Sequence, residues 1–251
     1  MLEVSNLKRS FGGLVALRDI SFDVSEGDFL GLIGPNGAGK TTLFNVISGV
    51  LKPSAGSVRF LNQDISGQPA NRTVRQGLSR TFQAATIYPE ATVIENATRG
   101  TFVSSRIGLW GSLFTSQWRV EAEQKALQVL DLFGLTRRAG LKARELAYGE
   151  QRRLGVAIAL ASNPKLLMLD EPVAGLNPEE AAELASVLRR VKTERGVTMV
   201  MVEHHMRTVM GLCNRIVVLD HGTLIAEGSP AEIVSNPLVI AAYLGKEAVD
   251  A

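Results

Sequence analysis

The sequence predicts an α/β protein: a mainly parallel sheet, an N-terminal antiparallel β subdomain and an inserted helical subdomain. Three observations predict it. Four short apolar runs, FLGLI (29–33), LLML (166–169), VTMVMV (197–202) and RIVVL (215–219), lack strict alternation and are mostly separated by helical segments. Strands covered on both faces have this pattern, and their alternation with helices gives a parallel sheet. Two other runs, LRDISFDV (17–24) and GSVRFLN (56–62), do alternate apolar with polar residues, as half-exposed antiparallel strands do. Between about 90 and 148 there is no convincing strand, and WRVEAEQKALQVLDLFGL (118–135) repeats its apolar residues at helical spacing.

On these grounds residues 1–251 read as a single domain, with a helical subdomain at about 90–162 inserted in the core and a helical tail at about 230–251. An apolar fraction of 45% is enough for a large core and argues against disorder. The net charge is only +2, and the arginine pairs are dispersed rather than gathered in one tract, so nucleic acid is not the expected partner. The single cysteine, Cys213, cannot form an internal disulfide, and the opening MLEVSNLKRSFGG lacks a basic segment followed by a long apolar one. Both features point to the cytosol. No run approaches the roughly 18 apolar residues of a membrane-spanning helix, so work at a membrane requires another chain to span it.

The strongest chemical signal is DFLGLIGPNGAGKTT, a buried strand, then Gly34, Pro35, Asn36, Gly37, Ala38, Gly39, Lys40 and Thr41, then a helix that begins near Thr42. This is G-x-x-x-x-G-K-[ST] in its strand, loop, helix context. The glycines let successive N–H groups turn inward to phosphate oxygens, and the helix start adds partial positive charge. Lys40 can reach the β and γ phosphates, and the Thr41 hydroxyl can ligate Mg²⁺. A glycine-rich turn before an ordinary helix is the plainer reading, but a complete eight-residue match in context outweighs it.

A second signal is KLLMLDEPVAGLNP, where a buried strand ends in Asp170 and Glu171. A carboxylate there can hold Mg²⁺ through water, and its neighbour can orient an attacking water. Taken alone, such a pair is often a solvated loop. Here another strand ends in Glu203 and His204, and LSRTF (78–82) runs into Gln83, so polar groups can converge where strands end. His205 is one position off and His221 lies in the hairpin turn DHG, so neither is included. ELAYGEQRR (145–153), followed by LGVAIALA, reads as a second helix start able to hold an anion. Its plainer reading is a core helix with Glu150 beside the positive end.

Together these motifs resemble the ATP-binding subunits of ABC transporters over almost the whole chain. The resemblance rests on Gly34 to Thr42, Gln83, LAYGEQ (146–151), Asp170-Glu171, AGLN (174–177) and His204, in the family's order. By likeness they are the Walker A loop, Q-loop, signature motif, Walker B with its catalytic glutamate, D-loop and switch histidine. The implied fold is a P-loop ABC ATPase core and the implied activity is ATP hydrolysis. Glu171, His204 and Gln83 are implied as catalytic, with Thr41, Gln83 and Asp170 around Mg²⁺. Phe11 matches the aromatic that stacks on adenine. Ala147, Tyr148, Gly149 and Glu150 are implied to meet the ATP of a second subunit, the same chain or a homologue.

Among family branches, Tyr148 in place of the usual first signature glycine, DEPVAGLNP, VEHHMRTVMGLCNRIVVLDHG and SNPLVIAAYLGK look most like subunits of branched-chain amino acid importers. The implied partners are transmembrane permease subunits and, indirectly, an extracytoplasmic substrate-binding protein, with this chain peripheral at the cytoplasmic face of the membrane. The helical lobe and Q-loop would receive the permease; Trp110, Phe114 and Trp118 cluster there, although aromatics so spaced are more often core.

Two departures stand out. Ala147 replaces the usual signature serine, so contact with phosphate falls to Gly149 and neighbouring N–H groups. Asn177 replaces the D-loop aspartate and also suits an N-cap, with Pro178 at the first helical position and Glu180 completing a capping box. The competing functional class is a soluble ABC-type ATPase in cofactor assembly. A regulator without turnover would be marked by loss of Glu171 or His204, and both are present.

Overall fold

The computed structural model describes residues 1–81, 87–102 and 115–244, in two compact units. Residues 1–73 and 196–251 form the first unit, and residues 74–195 the second.

The first unit opens with β1 (Leu2–Phe11) and β2 (Leu14–Val24), an antiparallel pair. β3 (Phe29–Ile33) is buried at every position and leads through a loop into α1 (Lys40–Ile47). β4 (Ala55–Phe60) pairs antiparallel with β1 and with the short β5 (Gln63–Asp64), giving the order β2-β1-β4-β5. The expected antiparallel layer is therefore present, and its alternating burial is the pattern read from residues 17–24 and 56–62. β1 escaped the sequence reading because its alternation breaks at Asn6, whose φ of 49° interrupts the register.

The chain enters the second unit within α2 (Ala70–Arg75), and β6 (Leu78–Arg80) follows. α3 (Val93–Phe102), α4 (Thr115–Leu132) and α5 (Tyr148–Ala161) fall in the expected helical stretch, where the described residues add only an isolated bridge between Thr92 and Lys142. β7 (Leu166–Asp170) is fully buried and pairs parallel with β6. α6 (Pro178–Arg195) starts on the capping box expected from sequence: Glu180 N–H donates to Asn177 Oδ1 (2.9 Å), and Asn177 N–H donates to Glu180 Oε2 (3.1 Å).

Back in the first unit, β8 (Thr198–Val202) lies parallel beside β3, α7 (Met206–Leu212) follows, and β9 (Arg215–Asp220) lies parallel on β3's other side. β10 (Thr223–Gly228) folds back antiparallel on β9 through His221-Gly222, both at positive φ as a tight hairpin turn requires. Two short helices, α8 (Pro230–Val234) and α9 (Pro237–Leu244), end the described chain. Among the described residues, no helix is long and apolar enough to cross a membrane.

Candidate nucleotide site

The loop between β3 and α1 has the backbone that the sequence predicts. Gly34, Gly37 and Gly39 take φ values of 148°, 80° and 100°, so the chain curls and points N–H groups inward. Gly39 is indispensable for packing as well as for φ: a Cβ there would sit 2.8 Å from the carbonyl oxygen of Ala16 on β2. Lys40 is the first residue of α1 and only 6% exposed. Its ammonium donates to the carbonyls of Gly34 (2.6 Å) and Pro35 (2.9 Å), which places the charge inside the curl. Ala38 is buried, Asn36 and Thr41 are exposed, and Thr42 lies one residue further along α1.

His204 belongs to the same edge. In the parallel pairing of β3 with β8, Leu32 is level with Val202, so the loop starting at Gly34 and the segment Glu203-His204 leave the sheet at the same end. Glu203 is almost fully buried and accepts the backbone N–H of His204 (3.0 Å) and of His205 (3.4 Å); His205 Nδ1 is 3.3 Å from the same carboxylate oxygen. Glu203 thereby fixes the turn that presents His204. Phe11 stands at the β1–β2 hairpin, 42% exposed, with the Arg9 guanidinium 4.5 Å from its ring centroid.

Sequence reasoning missed Tyr243 of α9. Burial pushes its phenol above the ordinary tyrosine pKa, and the nearby backbone of Gly34 acts against that rise, so α9 brings this tyrosine near the phosphate-type loop. Nothing in the local pattern of residues 237–244 signals this approach.

The second unit carries the acids and the second helix start. Asp170 closes β7, 5% exposed, with its Oδ2 2.7 Å from Arg80 Nη2 and its backbone N–H donating to Thr81 Oγ1 (3.0 Å). Glu171 has a φ of 47°, a left-handed conformation that costs a non-glycine residue about 1 kcal/mol or more. The helix start at Ala147 is held by Glu150, which accepts the Ala147 N–H at 3.1 Å and pairs with Arg138 at 3.1 Å. Tyr148 and Gly149 pack against the segment from Ala174 to Glu180. Gln83 lies outside the described residues, as do Trp110 and Phe114; the Trp118 ring packs on Phe102, centroids 4.6 Å apart.

The profile of the ABC transporter family matches residues 17–174, which span the curled loop, the acid-bearing strand and the second helix start. The chain belongs to the ABC transporter family. It carries that family's ATPase domain, and a profile described as the branched-chain amino acid ATP-binding cassette transporter matches residues 223–249. The ABC chain is 42% identical over 98% of its length, and 98% of the relative's, to the high-affinity branched-chain amino acid transport ATP-binding protein LivG of Salmonella typhimurium. Among solved structures it resembles the ADP conformation of MJ1267, an ATP-binding cassette of an ABC transporter, with a TM-score of 0.86, 34% identity and 98% of each chain covered. It also resembles the dimeric post-hydrolysis state of the ATP-binding cassette MJ0796 bound to ADP and Pi, with a TM-score of 0.78, 26% identity, and 92% and 99% of the two chains covered.

Proposed function

We propose that this ABC ATPase is the ATP-hydrolysing subunit of an importer for branched-chain or related amino acids, peripheral at the cytoplasmic face of the membrane. The observation that carries the chemistry is Lys40, a buried ammonium inside a loop of positive-φ glycines at a helix start. The likeness to LivG over both full lengths favours the amino acid class. A substrate-binding protein outside the membrane would deliver the amino acid to permease subunits.

In this reading the loop N–H groups and Lys40 hold the ATP phosphates, and Phe11 stacks on adenine. Thr41 and Asp170 supply the oxygen donors that Mg²⁺ prefers, with Gln83 as the third implied ligand. When bound, Mg²⁺ neutralises charge that develops on the transferred phosphoryl group. Glu171 orients the attacking water and His204 supports the same phosphoryl group. For the permease, the second unit offers a cavity of about 260 Å³ lined by Tyr88, Arg99, Gly100, Arg152 and Ile158, with the Arg99 guanidinium 4.0 Å from the Tyr88 ring centroid. That volume suits one or two side chains of a partner rather than a substrate.

The second helix start, at Ala147 to Glu150, would hold the γ phosphate of an ATP bound to another copy or a homologue, each copy completing its neighbour's site by twofold symmetry. A mixing experiment tests this. Lys40→Ala disables the first half-site. Gly149 is a poor place to disable the second, because a Cβ there would overlap the Glu180 carboxylate of its own chain. Ala147→Asp serves better: the position is exposed, aspartate is a favoured N-cap, and its charge repels phosphate. Each variant alone should be inactive, whereas an equal, freely exchanging mixture should recover up to roughly a quarter of native sites. Failure to recover either ATP-driven dimers or hydrolysis, with subunit exchange demonstrated, rejects the shared site.

A further inference from the structure

We infer that Tyr148 is a positioning residue that ties the D-loop, Ala174 to Asn177, to the first turn of the signature helix α5. The link stands on contacts within one chain; its consequence for a second copy's nucleotide rests on the shared-site reading above.

The contacts are directional. Arg152, one turn along α5, donates from Nε to Tyr148 Oη at 2.9 Å, and its guanidinium carbon is 5.3 Å from the phenol ring centroid. Arginine has no acceptor, so the tyrosine oxygen must accept there, and its own proton is directed to the Ala174 carbonyl, 3.2 Å away. The ring then lies across Gly175. With φ at 78°, a Cβ on Gly175 would stand 3.0 Å from Tyr148 Cε1 and Oη, so the ring and the D-loop backbone are in contact.

Two further ties run between the same segments. Glu180, which accepts the Asn177 N–H at 3.1 Å, also presses its carboxylate against Gly149. Arg153 of α5 pairs with Glu183 of α6. Tyr148 is 51% exposed, so burial contributes little and its value lies in the hydroxyl and ring contacts. The glycine usual at this signature position would make none of them. The replacement of glycine by tyrosine thus couples two segments 26 residues apart, which then meet a second copy as one body.

Hydrogen exchange on the nucleotide-free full chain reads the link directly. The amides of Ala174, Leu176 and Asn177 are each hydrogen-bonded. In Tyr148→Ala their exchange should quicken about fivefold to tenfold, the worth of one neutral hydrogen bond, while amides of β7 and α1 keep native rates. Tyr148→Phe, which keeps the ring and loses the hydroxyl, should show a smaller rise at the same amides and guards against a misfolded alanine variant. Native exchange rates at these amides in both variants overturn the link. As a second readout, the ATP concentration needed for dimer formation should rise in Tyr148→Ala and, by less, in Tyr148→Phe, in step with the exchange rates. Faster exchange with unaltered dimerisation leaves the link standing and overturns its proposed role toward the second copy.

Discussion

Arg80 Nη2 lies 2.7 Å from Asp170 Oδ2, with the two side chains 6% and 5% exposed. The pairing of β6 with β7 sets Arg80 level with Met168, and the guanidinium reaches forward to the end of the neighbouring strand. Thr81 adds two bonds to β7: its N–H donates to Met168 O (2.9 Å), and its Oγ1 accepts the Asp170 N–H (3.0 Å). The carboxylate proposed to hold Mg²⁺ is therefore oriented by the strand that runs toward Gln83. Removing the cation leaves a buried negative charge, so Arg80→Met should cost about 3 to 5 kcal/mol in a urea titration with unchanged m. Adding Asp170→Asn should restore much of that loss. A cost below about 1 kcal/mol for Arg80→Met would place the pair in solvent, contrary to its burial.

Glu171 separates stability from chemistry. Glu171→Gln should leave ATP binding intact and lower turnover at least about a hundredfold, the scale of a positioned base. Glu171→Gly should abolish turnover to the same degree. Because glycine accepts the φ of 47° without strain, it should also hold or raise stability by up to about 1 kcal/mol. Parallel loss of activity and stability in the glycine variant would tell against strain at this residue.

Phe11 is exposed and faces Arg9 on one side, so its ring contributes little to the core. Stacking on a base is worth about 1 to 3 kcal/mol, so Phe11→Ala should raise the KM for ATP by roughly 5- to 150-fold while kcat changes less. Steady-state kinetics settle it; an unchanged KM removes Phe11 from the nucleotide site.

Arg215 gathers three acids, lying 3.0 Å from Asp23 and 3.4 Å from Asp28 and pairing with Glu227. The hydrogen bond from Arg215 holds the Asp23 carboxyl below its ordinary pKa. A lowered folded-state pKa contributes stability that is complete above the ordinary aspartate value, about 3.9, and disappears as pH falls through the folded value. Arg215→Leu should therefore flatten the fall in stability below about pH 4. Denaturation midpoints at several pH values check this, and an identical acid limb in both proteins rejects it.

The loop of Gly34 to Lys40 was legible because its chemistry is carried by consecutive residues: backbone freedom, helix start and ammonium are adjacent in the chain. The Asn177–Glu180 capping box was legible for the same reason. β1 was not, because a positive-φ asparagine breaks its period. The approach of Tyr243 to Gly34 was not, because hydrophobic spacing reports which face of a helix is buried and not which backbone it nears.

The sequence by itself determined the α/β class, the antiparallel layer, the phosphate-type loop, the acids at the end of β7 and the family likeness, all through local spacing and composition. Tertiary structure alone decided that Asp170 is paired with Arg80, 90 residues away, that His204 shares an edge with Gly34, and that Tyr148 bonds to Ala174. Those partners follow from strand register and helix packing. Both are fixed by the summed burial of many distant side chains, which no short window of sequence contains.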